Sequence, residues 1–204
     1  MSNDSPAARL LLVEGQDDLR VVKNLCERLT LTLNFCIQDK KGFEKLAQSI
    51  PLEVKAPGRI ALGIMVDAND DPERRWRSIT TRLHSAGIET PETRETAGTV
   101  IDGSPRVGIW LMPDNQSGGE LEDFVTSLVP ESDPVWPLAN DYIEGIPPDH
   151  RKFKSHKIAK AKLAAWLATR EDPRQMGLAI KAQDLDVNQP VALTFADWLR
   201  RTLG

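Results

Sequence analysis

The sequence has few residues of the kinds that form disulfide frameworks or zinc sites. Its two cysteines, Cys26 and Cys36, match no zinc or redox spacing. We predict that both are buried thiols, one in a helix and one in a strand. No apolar run approaches the roughly 20 residues of a membrane span, and the segment MSNDSPAA lacks the basic and apolar regions of a signal peptide. We therefore expect a cytoplasmic protein that does not enter a membrane.

A surplus of positive charge is also missing, since 26 Lys and Arg are set against 30 Asp and Glu, giving a formal net charge of −4. Proteins that hold nucleic acid by charge alone normally carry a basic surplus, so non-specific coating of nucleic acid is disfavoured. An acidic protein can still act on nucleic acid if divalent metal ions bridge its carboxylates to phosphate.

Short apolar runs alternate with segments of helical periodicity along the first two thirds of the chain. We predict strands over residues 9–13, 31–37, 59–66, 99–102 and 106–112, with the last two forming a hairpin, and helices after residues 15, 41, 71 and 119. Pro51 is placed to end the second helix. Because the apolar runs are continuous, the sheet should be mainly parallel and covered by helices on both faces. The predicted fold class is a Rossmann-like α/β fold.

Three prolines, at positions 130, 134 and 137, predict a linker after this region. We therefore divide the chain into an α/β core, residues 1–130, and a mostly helical extension, residues 131–204. We expect the extension to pack on the core as one structural unit.

Acidic side chains follow three of the predicted strands. Glu14 follows the first strand, Asp67 and Asp70 follow the third, and Asp114 follows the last. The carboxyl ends of parallel strands meet at one edge of a sheet, where the active sites of such folds lie. Carboxylates gathered there repel one another unless they are solvated, protonated or bound to a cation. Oxygen ligands suit Mg²⁺ or Mn²⁺.

Acids at strand ends also serve as helix caps and turn formers, which is the simpler explanation for any one of them. We assign Asp17 and Asp71 to capping, and Pro72 to the first position of the third helix. Glu is a poor N-cap, so Glu14 is the acid that capping explains least well.

Two of these strand ends resemble the signature motifs of the Toprim family, which covers topoisomerases, primases and related nucleases. The segments are Val13-Glu14-Gly15-Gln16-Asp17-Asp18 and Val66-Asp67-Ala68-Asn69-Asp70. The resemblance implies a Toprim fold, with Glu14 as general acid/base or metal ligand and Asp67 as a magnesium ligand. Asn69 departs from the Asp-x-Asp pattern of the family, because it keeps an oxygen ligand but loses a charge. Asp70 is the nearest substitute.

A third stretch is similar to a block of stand-alone Toprim proteins allied to the overcome-lysogenization-defect (OLD) nucleases. It comprises Leu111-Met112-Pro113-Asp114-Asn115 and Gly119-Glu120-Leu121-Glu122-Asp123-Phe124. In those nucleases Toprim acids bind two metals that cut DNA. By resemblance the ligands here would be Glu14, Asp18, Asp67, Glu122 and Asp123, and the strand-end residues Asn69, Asp70 and Asp114 complete the candidate set.

Basic residues are concentrated between positions 151 and 162, beside an apolar stripe that contains Leu163 and Trp166. We predict one amphipathic helix, which either packs on the sheet with a solvated basic face or presents that face to phosphate. In the allied nucleases a lysine from this region assists catalysis. By resemblance, Lys157 and Lys160 are the candidates here.

Three functions remain open at this point. The first is a magnesium-dependent phosphodiesterase or nuclease acting on DNA or RNA, in phage defence or repair. No Gly-rich loop ending in Gly-Lys-Ser/Thr is present, so an ATPase could contribute only as a partner in trans. The second is a non-catalytic Toprim-like module that binds a partner protein, which Asn69 favours. The third is a receiver-like domain that accepts phosphate on Asp67, and labelling by a small phosphodonor would identify it.

Overall fold

The computed structural model describes residues 8–204, so most of the amino-terminal segment on which the signal-peptide prediction rests lies outside the described residues. The strands are β1 (Arg9–Val13), β2 (Cys36–Asp39), β3 (Ala61–Asp67), β4 (Thr99–Ile101) and β5 (Arg106–Met112). The helices are α1 (Gln16–Arg28), α2 (Phe43–Val54), α3 (Pro72–Ser85), α4 (Leu121–Thr126), α5 (Val135–Gly145), α6 (Ile158–Leu167), α7 (Met176–Lys181) and α8 (Pro190–Leu203). Over these residues, no helix is long and apolar enough to span a bilayer.

The five strands form one sheet in the order β2-β1-β3-β5-β4. All neighbouring pairs are parallel except β4 and β5, which form the predicted antiparallel hairpin. The predicted α/β fold with a mainly parallel sheet is therefore confirmed. Because β1, β3 and β5 are central and parallel, the residues that follow them lie at the same edge of the sheet.

Successive residues of each central strand point to opposite faces of the sheet, and each face has its own apolar core. Leu11, Met65 and Trp110 lie in one core together with residues of α1 and α4 to α8. Leu12 and Ile64 lie in the other core, which α2 and α3 cover. This two-sided burial explains why β1, β3 and β5 appear in the sequence as continuous apolar runs.

The carboxy-terminal helix α8 lies unusually close to the middle of the sheet. Gly63 of β3 and Gly108 of β5 are paired in register. A Cβ atom on Gly108 would stand only 2.2 Å from the hydroxyl oxygen of Thr202, and one on Gly63 would stand 3.5 Å from a methyl carbon of Leu203. The two glycines therefore allow α8 to pack against the strands.

Two predictions about the second strand and helix are wrong. Strand β2 begins at Cys36, not at Leu31, because Thr30 turns the chain with a φ of 53° after α1. Cys36 is consequently exposed, whereas Cys26 is buried as predicted. Helix α2 continues through Pro51 to Val54. Burial of Ile50 and Val54 on either side of the proline offsets the cost of about 3 kcal/mol for a proline inside a helix.

The predicted proline linker is shorter than expected: Pro130 lies in the irregular segment between α4 and α5, whereas the other two prolines begin α5. Pro134 is the N-cap and Pro137 lies in the first turn, where a backbone N–H has no partner within the helix. The Asp133 carboxylate accepts hydrogen bonds from the N–H groups of Val135 and Trp136, at 2.8 and 3.0 Å. These bonds satisfy two of the free donors at the start of the helix.

The predicted single basic helix is wrong in its extent. Helix α6 begins only at Ile158, after a short 3-10 helix at Ser155–Lys157. Arg151 lies outside it and donates hydrogen bonds to the carbonyl oxygens of Glu144 and Ile146, at the end of α5. Its guanidinium therefore stabilises a helix terminus.

Candidate metal site

The first two acidic motifs meet at the carboxyl edge of the sheet, because β1 and β3 are neighbouring parallel strands. Glu14 follows β1 directly, and Asp67 is the last residue of β3. The Oε1 atom of Glu14 accepts a hydrogen bond of 3.0 Å from the backbone N–H of Asp67. Glu14 thus reaches across to the neighbouring strand, an arrangement that a helix cap would not need.

Asp67 connects this strand end to α4. Its Oδ1 atom accepts a hydrogen bond of 2.9 Å from the backbone N–H of Leu121, the first residue of that helix. The third motif predicted from the sequence is therefore attached directly to the second. The other oxygen of the Asp67 carboxylate has no hydrogen bond to any described residue of the protein.

Asp18 lies in the first turn of α1 and is 6 % exposed. Its Oδ2 atom accepts a hydrogen bond of 2.9 Å from the backbone N–H of Gly15, the N-cap residue. The helix is thus capped by Asp18, and the prediction that Asp17 is the cap is wrong; Asp17 forms an ion pair of 3.5 Å with Arg20 instead. The Oδ1 atom of Asp18 is buried and has no hydrogen-bond partner among the described residues. Such an oxygen is costly unless a proton or a cation satisfies it.

Two glutamates from the start of α4 complete the group, and both are bound by lysines. Lys157 Nζ lies 2.7 Å from Glu120 Oε2, and Lys160 Nζ lies 2.5 Å from Oε1 of Glu122, a residue only 7 % exposed. The two lysines singled out by the sequence therefore do lie beside the acids. We call Glu14, Asp18, Asp67, Glu120 and Glu122 the acid cluster.

Glu120 is the member that the sequence-based set of candidate ligands omitted. It lies in the same acidic stretch as Glu122 and Asp123, so composition alone does not distinguish the three. Asp123 uses one carboxylate oxygen to accept a hydrogen bond of 2.8 Å from the N–H of Glu120, which caps α4. Glu120 belongs to the cluster because its negative charge contributes to raising the pKa of both Glu14 and Asp67.

The cluster cannot easily carry its full negative charge. Burial, reinforced by repulsion from Glu14, raises the pKa of Asp67 to about 8 and that of Asp18 to about 7. Burial also raises the pKa of Glu14, against the opposing effect of its hydrogen bond from Asp67. The pKa of Lys160 is raised by its hydrogen bond to Glu122. Near neutral pH, protons or a bound cation must offset the repulsion.

Two predicted ligands have other roles that are visible in the structure. Asp114 lies on the loop after β5, where its carboxylate accepts hydrogen bonds from the N–H groups of Gln116 and Ser117, at 2.9 and 2.7 Å. Asp70 is exposed and lines a neighbouring cleft. We therefore do not include either residue in the acid cluster.

Asn69 occupies the position where the Toprim pattern has its second Asp. Its φ of 53° suits Asn, and its backbone N–H and C=O form two hydrogen bonds of 2.8 Å with Gly119. When its amide is oriented so that both ends are satisfied, the nitrogen donates to Glu120 Oε1 at 3.1 Å and the oxygen accepts from Arg75. A carboxylate at this position would face Glu120 and repel it. Asn69 therefore positions its neighbours instead of adding charge.

Among residues 8–204, no three His, Cys, Asp or Glu side chains are arranged to hold a metal ion without adjustment. Glu14, Asp18 and Asp67 each use one oxygen for a backbone N–H group, as described above, so a cation would have to draw the other oxygens together. The donors are all oxygens, which suits Mg²⁺ or Mn²⁺, and Asp18 Oδ1 lacks a hydrogen-bond partner in the part of the chain that the structure describes. The residues present therefore fit such an ion by the chemistry of their donors, and binding would require their side chains to rotate.

Comparison with known proteins identifies the family and supports the fold. The chain belongs to the family described as "Protein of unknown function (DUF3226)", which matches residues 8–204. No curated protein sequence matches the chain. The structure is similar to the C-terminal region of the Burkholderia pseudomallei OLD protein, with a TM-score of 0.51 and 13 % identity over 95 % of this chain and 97 % of that one. This likeness supports an OLD-related fold, whereas the Toprim assignment stays a prediction.

Proposed function

We propose that this DUF3226 protein is a magnesium- or manganese-dependent enzyme that cleaves phosphodiester bonds in nucleic acid, acting in the cytoplasm. The observation that carries the proposal is the convergence of Glu14, Asp18 and Asp67 at one sheet edge, with a buried carboxylate oxygen that has no hydrogen-bond partner among residues 8–204. A purely structural cluster would gain by replacing one of these acids with a neutral residue. The OLD-related fold is consistent with this activity.

Glu14, Asp18, Asp67 and Glu122 are the residues that would hold the ion. A bound Mg²⁺ ion would polarise a phosphoryl oxygen and lower the pKa of a bound water molecule. The backbone N–H groups of Asp67 and Leu121 fix the orientations of the Glu14 and Asp67 carboxylates through the hydrogen bonds described above. This preorganisation keeps the acids in place before a substrate arrives.

Lys160 and Lys157 would contact the substrate where it meets the acid cluster. Both ammonium groups are bound to glutamates, and the side chain of Lys160 is still 57 % exposed. The raised pKa of Lys160 keeps it protonated, so we assign it to contact a phosphate oxygen and not to remove a proton. Lys157 is bound to Glu120 as Lys160 is bound to Glu122, so we assign Lys157 the same role.

A second candidate function is the binding of a partner protein without catalysis. Leu138 and Tyr142 lie one turn apart on α5 and are 64 % and 68 % exposed, so together they form a small apolar patch on the surface. A partner, including an ATPase acting in trans, could cover this surface. The non-catalytic alternative also agrees with the neutral Asn69.

The test is calorimetric titration of Mg²⁺ and Mn²⁺ into the wild type, Glu14→Gln and Asp114→Asn. Each protein is also incubated with labelled single- and double-stranded DNA and RNA. Glu14→Gln keeps an oxygen that can accept from Asp67 and loses only the charge. We expect the wild type and Asp114→Asn to bind metal and cut, and Glu14→Gln to do neither. A wild type that shows neither activity at millimolar metal would leave the partner-binding function as the conclusion.

A further inference from the structure

A cleft of about 410 Å³ lies beside the acid cluster and is lined in part by the loop that follows β3. It lies between the first residues of α2 and those of α3. The side chains that determine its chemistry are Phe43, Glu44, Asn69, Asp70, Arg74 and Arg75. Its volume falls in the range of about 300–1,000 Å³ that is typical of small-ligand sites.

Arg75 is shared between the cleft and the acid cluster. Its guanidinium carbon lies 3.6 Å from the centre of the Phe43 ring, which is a close cation–π contact. It donates to the amide of Asn69, whose nitrogen in turn donates to Glu120. Its positive charge also opposes the rise that burial causes in the pKa of Glu14. Arg75 therefore links an aromatic wall of the cleft to the acids that would hold the metal.

Arg74 contributes a second guanidinium, which is exposed and makes no hydrogen bond or ion pair within residues 8–204. Three carboxylates also line the cleft, those of Glu44, Asp70 and Asp71. This mixture of guanidinium and carboxylate groups does not suit a bare phosphate, because the carboxylates would repel it. It suits a ligand that combines a phosphate with amino groups that donate hydrogen bonds, and a nucleotide with an amino-bearing base has both.

We propose that this cleft binds one unpaired nucleotide of the nucleic-acid strand, next to the phosphodiester at the acid cluster. Arg74 contacts a phosphate oxygen, the Phe43 and Arg75 pair provides a stacking surface for the base, and Glu44 and Asp70 accept from its amino groups. The proposal rests on the proposed function for the position of the neighbouring phosphate. It adds that the substrate is single-stranded where it enters the cleft.

The test compares Arg74→Gln with Arg77→Gln, a matched control that removes the same charge from an exposed position of α3 outside the cleft lining. Phe43→Leu keeps an apolar side chain and removes the ring. Binding of fluorescein-labelled single-stranded oligodeoxyadenylate, and of a hairpin duplex, is measured by anisotropy with Ca²⁺ in place of Mg²⁺. Calorimetric titration of Mg²⁺ is run on every variant.

We expect Arg74→Gln and Phe43→Leu each to weaken binding of the single strand by roughly tenfold. Arg77→Gln should bind as the wild type does, the duplex should bind more weakly than the single strand, and Mg²⁺ binding should be unchanged throughout. Equal binding by Arg74→Gln, Phe43→Leu and Arg77→Gln would overturn the cleft proposal even if the wild type binds Mg²⁺ and cuts. Selective loss in the two cleft variants, in a protein that binds no Mg²⁺, would support the cleft and refute the metal-dependent function.

Discussion

Two sets of acids occupy similar sequence positions, just after strands, and differ in what surrounds them. Glu14, Asp18 and Asp67 are largely removed from solvent, and burial raises the pKa of each carboxyl. Asp71 and Asp114 lie on loops at the same edge, and their carboxylates accept hydrogen bonds from nearby backbone N–H groups. The second set is explained by local structure alone, whereas the first set is not. Burial, and not position after a strand, separates the acids that we propose to hold a metal ion from those that cap a helix or form a turn.

The largest expected difference between the two sets is in stabilisation by metal. At free Mg²⁺ about one hundred times the dissociation constant, binding adds about 2.7 kcal/mol to the free energy of unfolding. In a domain of this size that raises the melting temperature by about 5–11 °C. We expect this rise in the wild type and in Asp114→Asn, and its loss in Asp67→Asn, by differential scanning fluorimetry.

The same Asp67→Asn variant should melt higher than the wild type in EDTA at pH 8. Asn keeps an oxygen that can accept from Leu121 and removes one of the repelling charges. A lower melting temperature in EDTA would show that Asp67 stabilises the fold, and the contrast between the two sets of acids would then fail.

The next effect in size is the dependence of metal-free stability on pH. The pKa of Asp67 is about 8 and that of Asp18 about 7, each raised from an ordinary 3.8, so the folded protein holds protons that the unfolded chain releases. Their contribution to stability is complete below about pH 4 and is lost as the pH rises to about 8. Urea unfolding in EDTA should show stability falling from pH 5 to pH 8. The fall should be shallower in Asp67→Asn and unchanged in Asp114→Asn.

A smaller effect is expected at the helix cap. Asp71 accepts a hydrogen bond of 2.9 Å from the N–H of Arg74 at the start of α3. Asp71→Ala should lower the free energy of unfolding by about 1 kcal/mol, measured by urea unfolding, with Mg²⁺ affinity unchanged. Asp70→Ala is the neighbouring control and should stay within about 0.5 kcal/mol of the wild type. A change of Mg²⁺ affinity in Asp70→Ala would restore Asp70 as a ligand.

The smallest effect is expected at Asp114. Its partners, Gln116 and Ser117, are exposed and can bind water when the carboxylate is removed. Asp114→Ala should therefore change the free energy of unfolding by no more than about 0.5 kcal/mol. A loss comparable to that of Asp71→Ala would mean that the loop after β5 supports the site more strongly than its exposure indicates.

The sequence was most informative where one physical effect dominated. Continuous burial on both faces made β1 and β3 recognisable, and turn residues marked the β4–β5 hairpin. Proline was misread in α2 and α5, because tertiary burial and the free donors of a first turn permit it there. Neither outcome can be read from a proline alone.

The candidate site likewise shows what sequence analysis can and cannot identify. Glu14, Asp18 and Asp67 could be proposed because each lies near the end of a strand or the start of a helix in a short motif. Glu120 could not be separated from its acidic neighbours until its charge interaction with Glu14 and Asp67 was known. Arg75 and Phe43 lie on different helices and share no motif, so only the folded chain shows their contact.

The close approach of α8 to Gly63 and Gly108 has a consequence for biosynthesis. The hydrogen bonds of β1, β3 and β5 can form as soon as β5 has left the ribosome, but α8 is translated much later. Until α8 has been translated, the apolar surface around Trp110 that α8 covers in the folded protein stays exposed. We expect the nascent chain to pass through a stage in which this apolar surface is open to chaperones or to other nascent chains. The acid cluster, at the edge of the same sheet, would complete its surroundings only after that surface is closed.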